Sequence, residues 1–290
     1  MLQIEGLRKT YPGFTLNVDM HIDSGRITGL IGENGAGKTT LFKSILQLIH
    51  PDSGSITVFG KNIRDFKADD KLAIGTVLAE SGFSGHLALQ DVIEIMKSFY
   101  PAFDEMRFSE QARRFSLPEN KLIKEYSTGM KAKLKVLIAL SYNAKFLILD
   151  EPTAGLDVTT REDVLQMLRD YMAESEERSI LVSSHISSDL ESLCDDFYMI
   201  YKGNIIMHED TDRLLSDYAI LKVTEEDYNT LDKQYILYRR KESFGYLCLT
   251  NERAYYMENA PHIVLEKSGI DDLILLAVRG ERIAPERSNR

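Results

Sequence analysis

The chain has 290 residues, of which 43% are hydrophobic and 28% charged, and its formal net charge is -10. This is the composition of an ordinary globular protein, and the length allows one large domain or a large domain with an appendage. The acidic balance argues against nucleic acid as the main partner, because duplex binding relies on clustered lysine and arginine, although it leaves room for a local basic patch.

No apolar run approaches the roughly 20 residues that a membrane-spanning helix needs. The longest run near the end, residues 273–278, is far too short, and the N-terminal residues lack the apolar core of a secretory signal. The two cysteines, Cys194 and Cys248, lie far apart without metal-like spacing, so we expect free thiols in or near a core. We therefore expect a cytoplasmic chain whose membrane role, if it has one, depends on a partner.

The first two thirds of the chain predict strands that alternate with helices. Apolar residues recur at every second position from Phe14 to Ile22, which predicts an antiparallel strand pair with the segment before it. A helical pattern covers about 89–140, where Pro101 and Pro118 separate several helices. Other segments favour buried strands at 27–31, 146–149 and 180–182, helices at 41–46 and 158–172, a strand at 55–60 and a hairpin at 197–208. The alternation predicts a mainly parallel α/β core.

Composition shifts near residue 218 toward tyrosine and charge. The remainder has its own strand candidates at 220–223, 235–240, 246–249 and 262–266, and its own helix candidates at 225–231, 251–258 and 270–278. We therefore divide the chain into residues 1–217 and a small accessory α/β module, residues 218–290. The last ten residues, from Glu281 onward, are predicted to be a solvated tail.

Residues 32–40 read GENGAGKTT and fit the P-loop pattern GxxxxGK[ST] between an apolar strand and a helix. The glycines let backbone N–H groups converge on phosphate oxygens, and the helix N-terminus adds partial positive charge. In this pattern Lys38 reaches the β- and γ-phosphates, and Thr39 offers a hydroxyl to Mg²⁺. The alternative is a glycine-rich turn with a chance lysine. The strand and helix on either side favour binding of a nucleoside triphosphate.

Three further motifs follow the P-loop in a fixed order. A stretch YSTGMK at 126–131 precedes a helix, a buried strand ends in Asp150-Glu151 and continues as PTAGLD to residue 157, and Ser183-Ser184-His185 follows another buried strand. With these motifs, the chain closely resembles the nucleotide-binding subunit of ATP-binding cassette (ABC) transporters over about residues 1–215. It is most similar to single-domain subunits that pair with a separate membrane protein in ABC-2-type exporters.

The resemblance implies a fold and a domain assignment. We expect an α/β chain with a P-loop NTPase core of the ABC ATPase type, an antiparallel β subdomain and a helical subdomain at about 86–140 that carries the signature motif. Residues 1–217 then form the ABC ATP-binding domain, followed by the small C-terminal α/β module.

Asp150 and Glu151 lie at the end of the buried strand. A carboxylate at Asp150 is placed to hold Mg²⁺, the alternative being a helix N-cap. Because side chains alternate along a strand, Glu151 points elsewhere, and the resemblance makes it the general base or the residue that positions water. An exposed surface glutamate is the alternative. His185 lies just beyond a strand, and the resemblance makes it the switch histidine at the γ-phosphate, although a lone histidine is more often structural.

The signature region departs from the family pattern. Ser127 and Gly129 keep the hydroxyl, the backbone N–H groups and the N-terminus of a helix expected to start near Lys131. Thr128 and Met130 replace the first glycine and the glutamine of the usual motif. In the family these groups act in trans, on ATP held by the partner subunit; an ordinary helix N-cap is the alternative.

The resemblance also implies a full set of site residues. Tyr11 is the aromatic residue on which adenine stacks, and Asp157 is the loop aspartate that communicates across the dimer. The implied catalytic residues are Glu151, His185 and Lys38, and the implied metal ligands are Thr39 and Asp150. The implied nucleotide-binding residues are Tyr11, Gly32, Glu33, Asn34, Gly35, Ala36, Gly37, Lys38, Thr39, Thr40, Ser127 and Gly129.

One family feature is missing. The family usually carries a glutamine after the strand near residue 75, where it contacts Mg²⁺ and the attacking water and senses the membrane partner. Residues 74–83 contain no glutamine. Glu80 offers an oxygen in its place but brings a negative charge, and Gln90 lies too far along, at a predicted helix start.

The expected function is that of an ATP-binding and ATP-hydrolysing transporter subunit that uses ATP and Mg²⁺. Two subunits, identical or different, would sandwich ATP head to tail and drive an integral membrane permease from the inner face of the cell membrane. A soluble ABC ATPase that regulates or remodels a macromolecular complex is the alternative. A further alternative makes residues 218–290 a ligand-sensing or dimerising centre.

Overall fold

The computed structural model describes residues 1–78 and 82–283, which form a ten-stranded and a five-stranded sheet. The strands are β1 (Leu2–Tyr11), β2 (Phe14–Ile22), β3 (Ile27–Ile31), β4 (Ser53–Val58), β5 (Lys61–Asn62), β6 (Ile74–Val77), β7 (Phe146–Asp150), β8 (Ser179–Ser183), β9 (Asp196–Tyr201), β10 (Asn204–Asp210), β11 (Ala219–Val223), β12 (Ile236–Glu242), β13 (Gly245–Thr250), β14 (Val264–Lys267) and β15 (Glu281–Arg282). The helices are α1 (Lys38–Ile45), α2 (Ala68–Leu72), α3 (Leu89–Phe99), α4 (Glu105–Arg114), α5 (Thr128–Leu140), α6 (Val158–Ala173), α7 (Ser187–Leu193), α8 (Thr211–Asp217), α9 (Glu225–Thr230), α10 (Arg253–Asn259) and α11 (Ile270–Arg279).

The large sheet joins an antiparallel part to a parallel part. Its strand order is β5-β4-β1-β2-β10-β9-β3-β8-β7-β6. The strands β9, β3, β8, β7 and β6 run parallel, whereas β1 pairs antiparallel with both β2 and β4. The carboxyl ends of β3, β7 and β8 therefore meet at one edge, where open α/β sheets bind their ligands.

The central strands are buried on both faces. Along β7, Leu147 and Leu149 belong to one apolar cluster, while Phe146 and Ile148 belong to the cluster on the opposite face. All five residues of β3, β7 and β8 are buried. This explains why these strands read as continuous apolar runs rather than as alternating patterns.

The five-stranded sheet, order β14-β11-β13-β12-β15, is built entirely from residues after 218. Its own apolar cluster includes Leu221, Ile236 and Tyr256. Its other face joins the core of the large sheet, because Ile270 and Leu273 of α11 pack in the same cluster as Leu190 of α7. The C-terminal segment thus has a separate sheet but a shared core.

The predicted α/β class, the N-terminal antiparallel strands, the parallel core and the second sheet are confirmed. Both cysteines are free and buried, as predicted. No helix within residues 1–78 and 82–283 is long and apolar enough to cross a membrane.

Two predictions from the sequence are wrong, and a third concerns a residue that the structure does not describe. The signature helix begins at Thr128 rather than near Lys131, because Ser127 caps it. The predicted tail starts too early, since Glu281 and Arg282 form β15 against β12 and the Glu281 carboxylate accepts hydrogen bonds from Arg239. Glu80 lies outside the described residues.

Candidate nucleotide-binding and hydrolysis site

The P-loop connects β3 to α1 and closes around the side chain of Lys38. The Lys38 ammonium donates to the carbonyl of Gly32 at 2.6 Å and to that of Glu33 at 3.4 Å. The side chain is buried, which is unusual for a lysine. Its Nζ also lies 3.7 Å from Oε1 of Glu151, so the cation sits between the loop and the end of β7.

The loop is backed by the turn between β9 and β10. Gly203 donates its backbone N–H to the carbonyl of Ala36 at 2.9 Å, and its own carbonyl accepts from the N–H of Asn17 at 2.6 Å. Its φ of +80° favours glycine, and a Cβ there would run into the carbonyl of Thr15. The turn therefore holds the P-loop against β2.

The predicted P-loop residues form the connection between β3 and the first turn of α1. Gly35 and Gly37 have φ values of +81° and +117°, which turn the backbone around the cradle. Glu33, Asn34 and Gly35 are exposed, whereas Ala36 and Gly37 are buried. Thr40 lies in the first turn of α1, where its carbonyl accepts a hydrogen bond from Ser44.

Asp150, the last residue of β7, is bound on both carboxylate oxygens. Thr39 Oγ1 donates to Oδ2 at 2.8 Å, and Ser183 Oγ donates to Oδ1 at 2.7 Å. Asp150 is not a helix N-cap; it ends its strand, buried beside the P-loop hydroxyl. A hydroxyl and a carboxylate in contact are oxygen donors of the kind that Mg²⁺ takes, so these two residues fit the metal that the P-loop pattern implies. Among residues 1–78 and 82–283, no three histidine, cysteine or acidic side chains gather as a further metal site.

Glu151 and His185 form a direct pair. His185 Nδ1 lies 2.6 Å from Oε2 of Glu151, and the backbone N–H of His185 donates to the same oxygen at 3.1 Å. Glu151 has a φ of +53°, a left-handed conformation that costs a non-glycine residue on the order of 1–3 kcal/mol. The backbone N–H of Glu151 donates to the carbonyl and to the hydroxyl of Ser183, and these bonds hold it there.

Tyr11 ends β1 and is 39% exposed, a partly open aromatic face. It pairs in register with Phe14, and the ring of Phe14 lies on the side where a Cβ at Gly37 would point. Lys9 holds its ammonium 5.7 Å from the centre of the Tyr11 ring. The ring is therefore at the P-loop end of the antiparallel strands.

The signature residues lie at the N-terminus of α5. Ser127 is exposed and caps α5, accepting from the N–H of Met130 at 3.1 Å. A Cβ at Gly129 would lie 2.7 Å from Cγ2 of Thr160, so glycine permits close packing of α5 on α6. Ser127 thus bonds within α5, and Gly129 packs against α6.

Asp157 caps α6 through two bonds to one residue. It accepts from the N–H of Thr160 at 2.9 Å and from its hydroxyl at 2.8 Å. These hydrogen bonds lower the pKa of the Asp157 carboxyl, and the bond from the Thr160 backbone N–H has the largest effect. The carboxylate stays ionised at the surface that also carries Ser127.

Sequence reasoning missed two buried polar links. Ser183 bridges the Asp150 carboxylate and the Glu151 N–H, and Asp189 accepts from Thr153 Oγ1 at 2.7 Å, which ties α7 to the loop after Glu151. Both depend on which strands and helices become neighbours. The only sequence signal for the first link was a serine at the end of the apolar run 180–182, and the second link had no signal in the sequence.

Comparisons with known proteins define the class. The family model described as "ABC transporter" matches residues 15–154. The chain is 32% identical over 225 residues to the ABC transporter ATP-binding protein YtrB of Bacillus subtilis (strain 168), covering 77% of this chain and 76% of YtrB. It is 34% identical over 216 residues to the lantibiotic transport ATP-binding protein SrtF of Streptococcus pyogenes, covering 73% of this chain and 92% of SrtF. A solved ATP-binding subunit of an ABC transporter superposes with a TM-score of 0.66 at 25% identity, covering 74% of this chain and 91% of that one.

The chain therefore belongs to the ABC transporter family. It is an ATP-binding subunit with ATPase activity, and it powers transport through a membrane permease. Subunits of this family work with membrane permeases.

Proposed function

We propose that ATP is cleaved between two copies of this chain that face each other head to tail, each copy holding half of the machinery. One copy supplies Lys38, Thr39, Asp150, Glu151 and His185; the other supplies Ser127 and Gly129. The observation that carries the proposal is this division: the first five residues are linked by contacts, whereas the last two lie at the N-terminus of α5, where Ser127 is exposed and Gly129 packs against α6.

In the proposed reaction the P-loop N–H groups and the Lys38 ammonium hold the β- and γ-phosphates. These groups stabilise the negative charge on the phosphate oxygens as the terminal phosphoryl group is transferred. The 3.7 Å approach of Lys38 Nζ to Glu151 places the cation beside the carboxylate that would act on water. Tyr11 would stack on adenine through its open face.

Glu151 would orient the attacking water and accept its proton, with His185 holding the carboxylate by its ring and its backbone N–H. The left-handed backbone at Glu151 supports this role, since strain of this kind is found at catalytic positions. No covalent intermediate is needed, because phosphoryl transfer depends on positioning and charge stabilisation.

Thr39 and Asp150 would hold Mg²⁺ through the hydroxyl and the carboxylate that now contact each other. When bound, the cation neutralises phosphate charge and orients the β- and γ-oxygens. Ser183 would keep the second carboxylate oxygen occupied and so fix the orientation of Asp150.

The partner copy would complete the site with the Ser127 hydroxyl, the backbone at Gly129 and the N-terminus of α5. A helix N-terminus stabilises phosphate through free N–H groups and its dipole. Asp157 lies at the N-terminus of α6, the helix against which α5 packs, so it would face the same dimer surface.

We further assign residues 1–217 to the ATP-binding domain and 218–290 to an accessory module. The dimer would sit at the cytoplasmic face of the membrane beneath its permease. The second sheet and the separate apolar cluster of Leu221, Ile236 and Tyr256 support the division. A soluble remodelling role has no specific observation in its favour.

Complementation between two inactive variants tests the composite site. Lys38→Ala removes the phosphate-binding cation, while Ser127→Asp keeps an N-cap residue but brings a carboxylate against the partner's triphosphate. Each variant alone should be inactive. A 1:1 mixture should regain about a quarter of the wild-type ATPase rate, because half of the random dimers contain one intact composite site out of two.

Ser127→Thr is the matched control, since it keeps the hydroxyl and the cap; it should retain most of the activity alone. A mixture of the two inactive variants that stays at background, under conditions where mass measurements show mixed dimers, would refute the head-to-tail arrangement. Activity in the isolated Ser127→Asp variant would remove the signature region from the site.

A further inference from the structure

The helix α7 begins two residues after His185 and is held from both sides. On one side, Asp189 accepts from Thr153 Oγ1 at 2.7 Å, two residues after Glu151. On the other side, α7 meets the first turn of α11, which belongs to residues 218–283. The position of His185 therefore depends on what α7 packs against.

Two polar bonds join α7 to α11. Oε1 of Glu191 accepts from the backbone N–H of Ile270 at 2.7 Å, satisfying one of the free donors at the start of α11. The hydroxyl of Ser187 donates to Oδ1 of Asp271. Both pairs are more than 75 residues apart in sequence, so each is a tertiary link rather than a local cap.

The packing around these bonds is close. A Cβ at Gly269 would lie 2.8 Å from Oε1 of Glu191, so the glycine lets the carboxylate reach the helix terminus. Ile270 and Leu273 are fully buried against the cluster that contains Leu190. Apolar contact fixes the distance between the helices, and the two bonds fix their register.

We propose that Glu191 and Ser187, through Asp271 and the N-terminus of α11, are positioning residues that set His185 against Glu151. The C-terminal module thus supports the geometry of the hydrolysis site through the contacts of α11 with α7. The inference rests on the proposed function, since it assumes that the Glu151–His185 pair acts on ATP.

The chain of contacts is short. His185 bonds Glu151 through its ring and its N–H, α7 starts at Ser187, and Ser187 and Glu191 reach α11. Loss of the bonds between α7 and α11 allows α7 to shift, and this shift lengthens the His185–Glu151 hydrogen bond. Because a displacement near 1 Å at a reacting group lowers rates strongly, the effect should appear in kcat. The P-loop contacts of Lys38 lie elsewhere, so the KM for ATP should change little.

The test compares Glu191→Ala with Glu191→Gln in the full-length chain. The amide oxygen of glutamine still accepts from the Ile270 N–H, whereas alanine does not. We expect Glu191→Ala to lower kcat about fivefold to tenfold with KM within twofold of wild type, and Glu191→Gln to restore most of the rate. Amide hydrogen exchange over residues 185–193 should rise in Glu191→Ala and not in Glu191→Gln.

Asp271→Ala breaks the other bond from the module side at an exposed position, and it should reproduce the kcat loss. Glu266→Ala, which removes the exposed ion pair with Lys222 in the same module, is the matched control and should match wild type. Wild-type kcat in both Glu191→Ala and Asp271→Ala, with faster exchange in α7, would overturn the inference.

Glu151→Gln in the same series separates the two ideas. If Glu151→Gln abolishes turnover while Glu191→Ala does not change kcat, the proposed function stands, and the inference that the α7–α11 contacts position His185 is wrong. If Glu151→Gln turns over normally, the proposed function itself fails.

Discussion

Nδ1 of His185 and Oε2 of Glu151 lie 2.6 Å apart, and the same oxygen accepts the His185 backbone N–H. A single carboxylate oxygen thus receives two bonds from one residue, which leaves Oε1 directed toward Lys38. The pair joins the ends of β7 and β8, the two strands that bring the histidine and the glutamate to one edge of the sheet.

Glu151→Gln should lower the steady-state ATPase rate by at least about 100-fold, because the amide cannot accept a proton from water. ATP affinity should be retained, since Lys38 and the P-loop are unchanged, and ATP should hold the chain as a dimer. Phosphate release and size-exclusion chromatography with ATP measure the two effects. Glu177→Gln, an exposed glutamate paired with Lys145, should behave as wild type. Normal turnover in Glu151→Gln would contradict the assignment.

Ser183→Ala should lower the free energy of unfolding by about 1–3 kcal/mol, because it removes the donor to Asp150 and the acceptor of the Glu151 N–H. It should also raise the Mg²⁺ concentration needed for half-maximal ATPase activity. Ser179→Ala is the control: this serine is buried at the other end of β8 and bonds Asp23 and Gly25. It should lose stability without a change in Mg²⁺ dependence, and an equal change in both variants would argue against a role for Ser183 at Asp150.

Gly203→Ala and Gly13→Ala form a matched pair, since both glycines have a φ of +80°. A Cβ at Gly13 meets open space, so that change should cost only about 1 kcal/mol of backbone strain. At Gly203 the added atom meets the backbone of Thr15, which cannot move aside without disturbing β2. Urea denaturation should show a loss larger by about 1–3 kcal/mol for Gly203→Ala. Equal losses would mean that the turn is not packed as described.

Asp196 should make stability depend on pH in the acid range. Burial alone raises the pKa of its carboxyl, but hydrogen bonds from His208 and Thr28, with the charges of His208 and Arg26, outweigh burial and hold the pKa below its ordinary value. A lowered folded-state pKa stabilises the protein above the unfolded value, and that stability is lost as pH falls through the folded value. The free energy of unfolding should therefore decline below about pH 4.

Asp196→Asn should flatten this decline and lower stability at neutral pH. Asp52→Asn, at an exposed carboxylate bonded to Lys9 and Thr10, is the comparison and should change the curve much less, because solvent screens the pair. An acid decline in Asp196→Asn as steep as in the wild type would assign the pH dependence to other groups.

Much of the fold and of the nucleotide site could be predicted from sequence because local patterns carry them. The P-loop lies between a strand and a helix, and β3, β7 and β8 read as apolar runs since both faces are covered. Local sequence patterns do not predict which distant residues become neighbours in the folded chain. That Ser183 lies beside Asp150 follows from the register of β7 and β8, and that Glu191 meets Ile270 follows from how α11 docks. The predicted start of α5 near Lys131 is wrong because the Ser127 side chain accepts from the Met130 N–H and caps the helix, which therefore begins at Thr128.

The turn at Gly203 has a consequence for how the chain is made. The Gly203 N–H donates to the carbonyl of Ala36, and the Gly203 carbonyl accepts from the N–H of Asn17. The support of the P-loop therefore combines two segments near the N-terminus with one that follows more than 160 residues later. During synthesis the P-loop emerges from the ribosome long before this support does. We expect a nascent chain to gain nucleotide affinity only after residue 203 has emerged, so that ATP binding marks the completion of the ATPase fold rather than guiding its early steps.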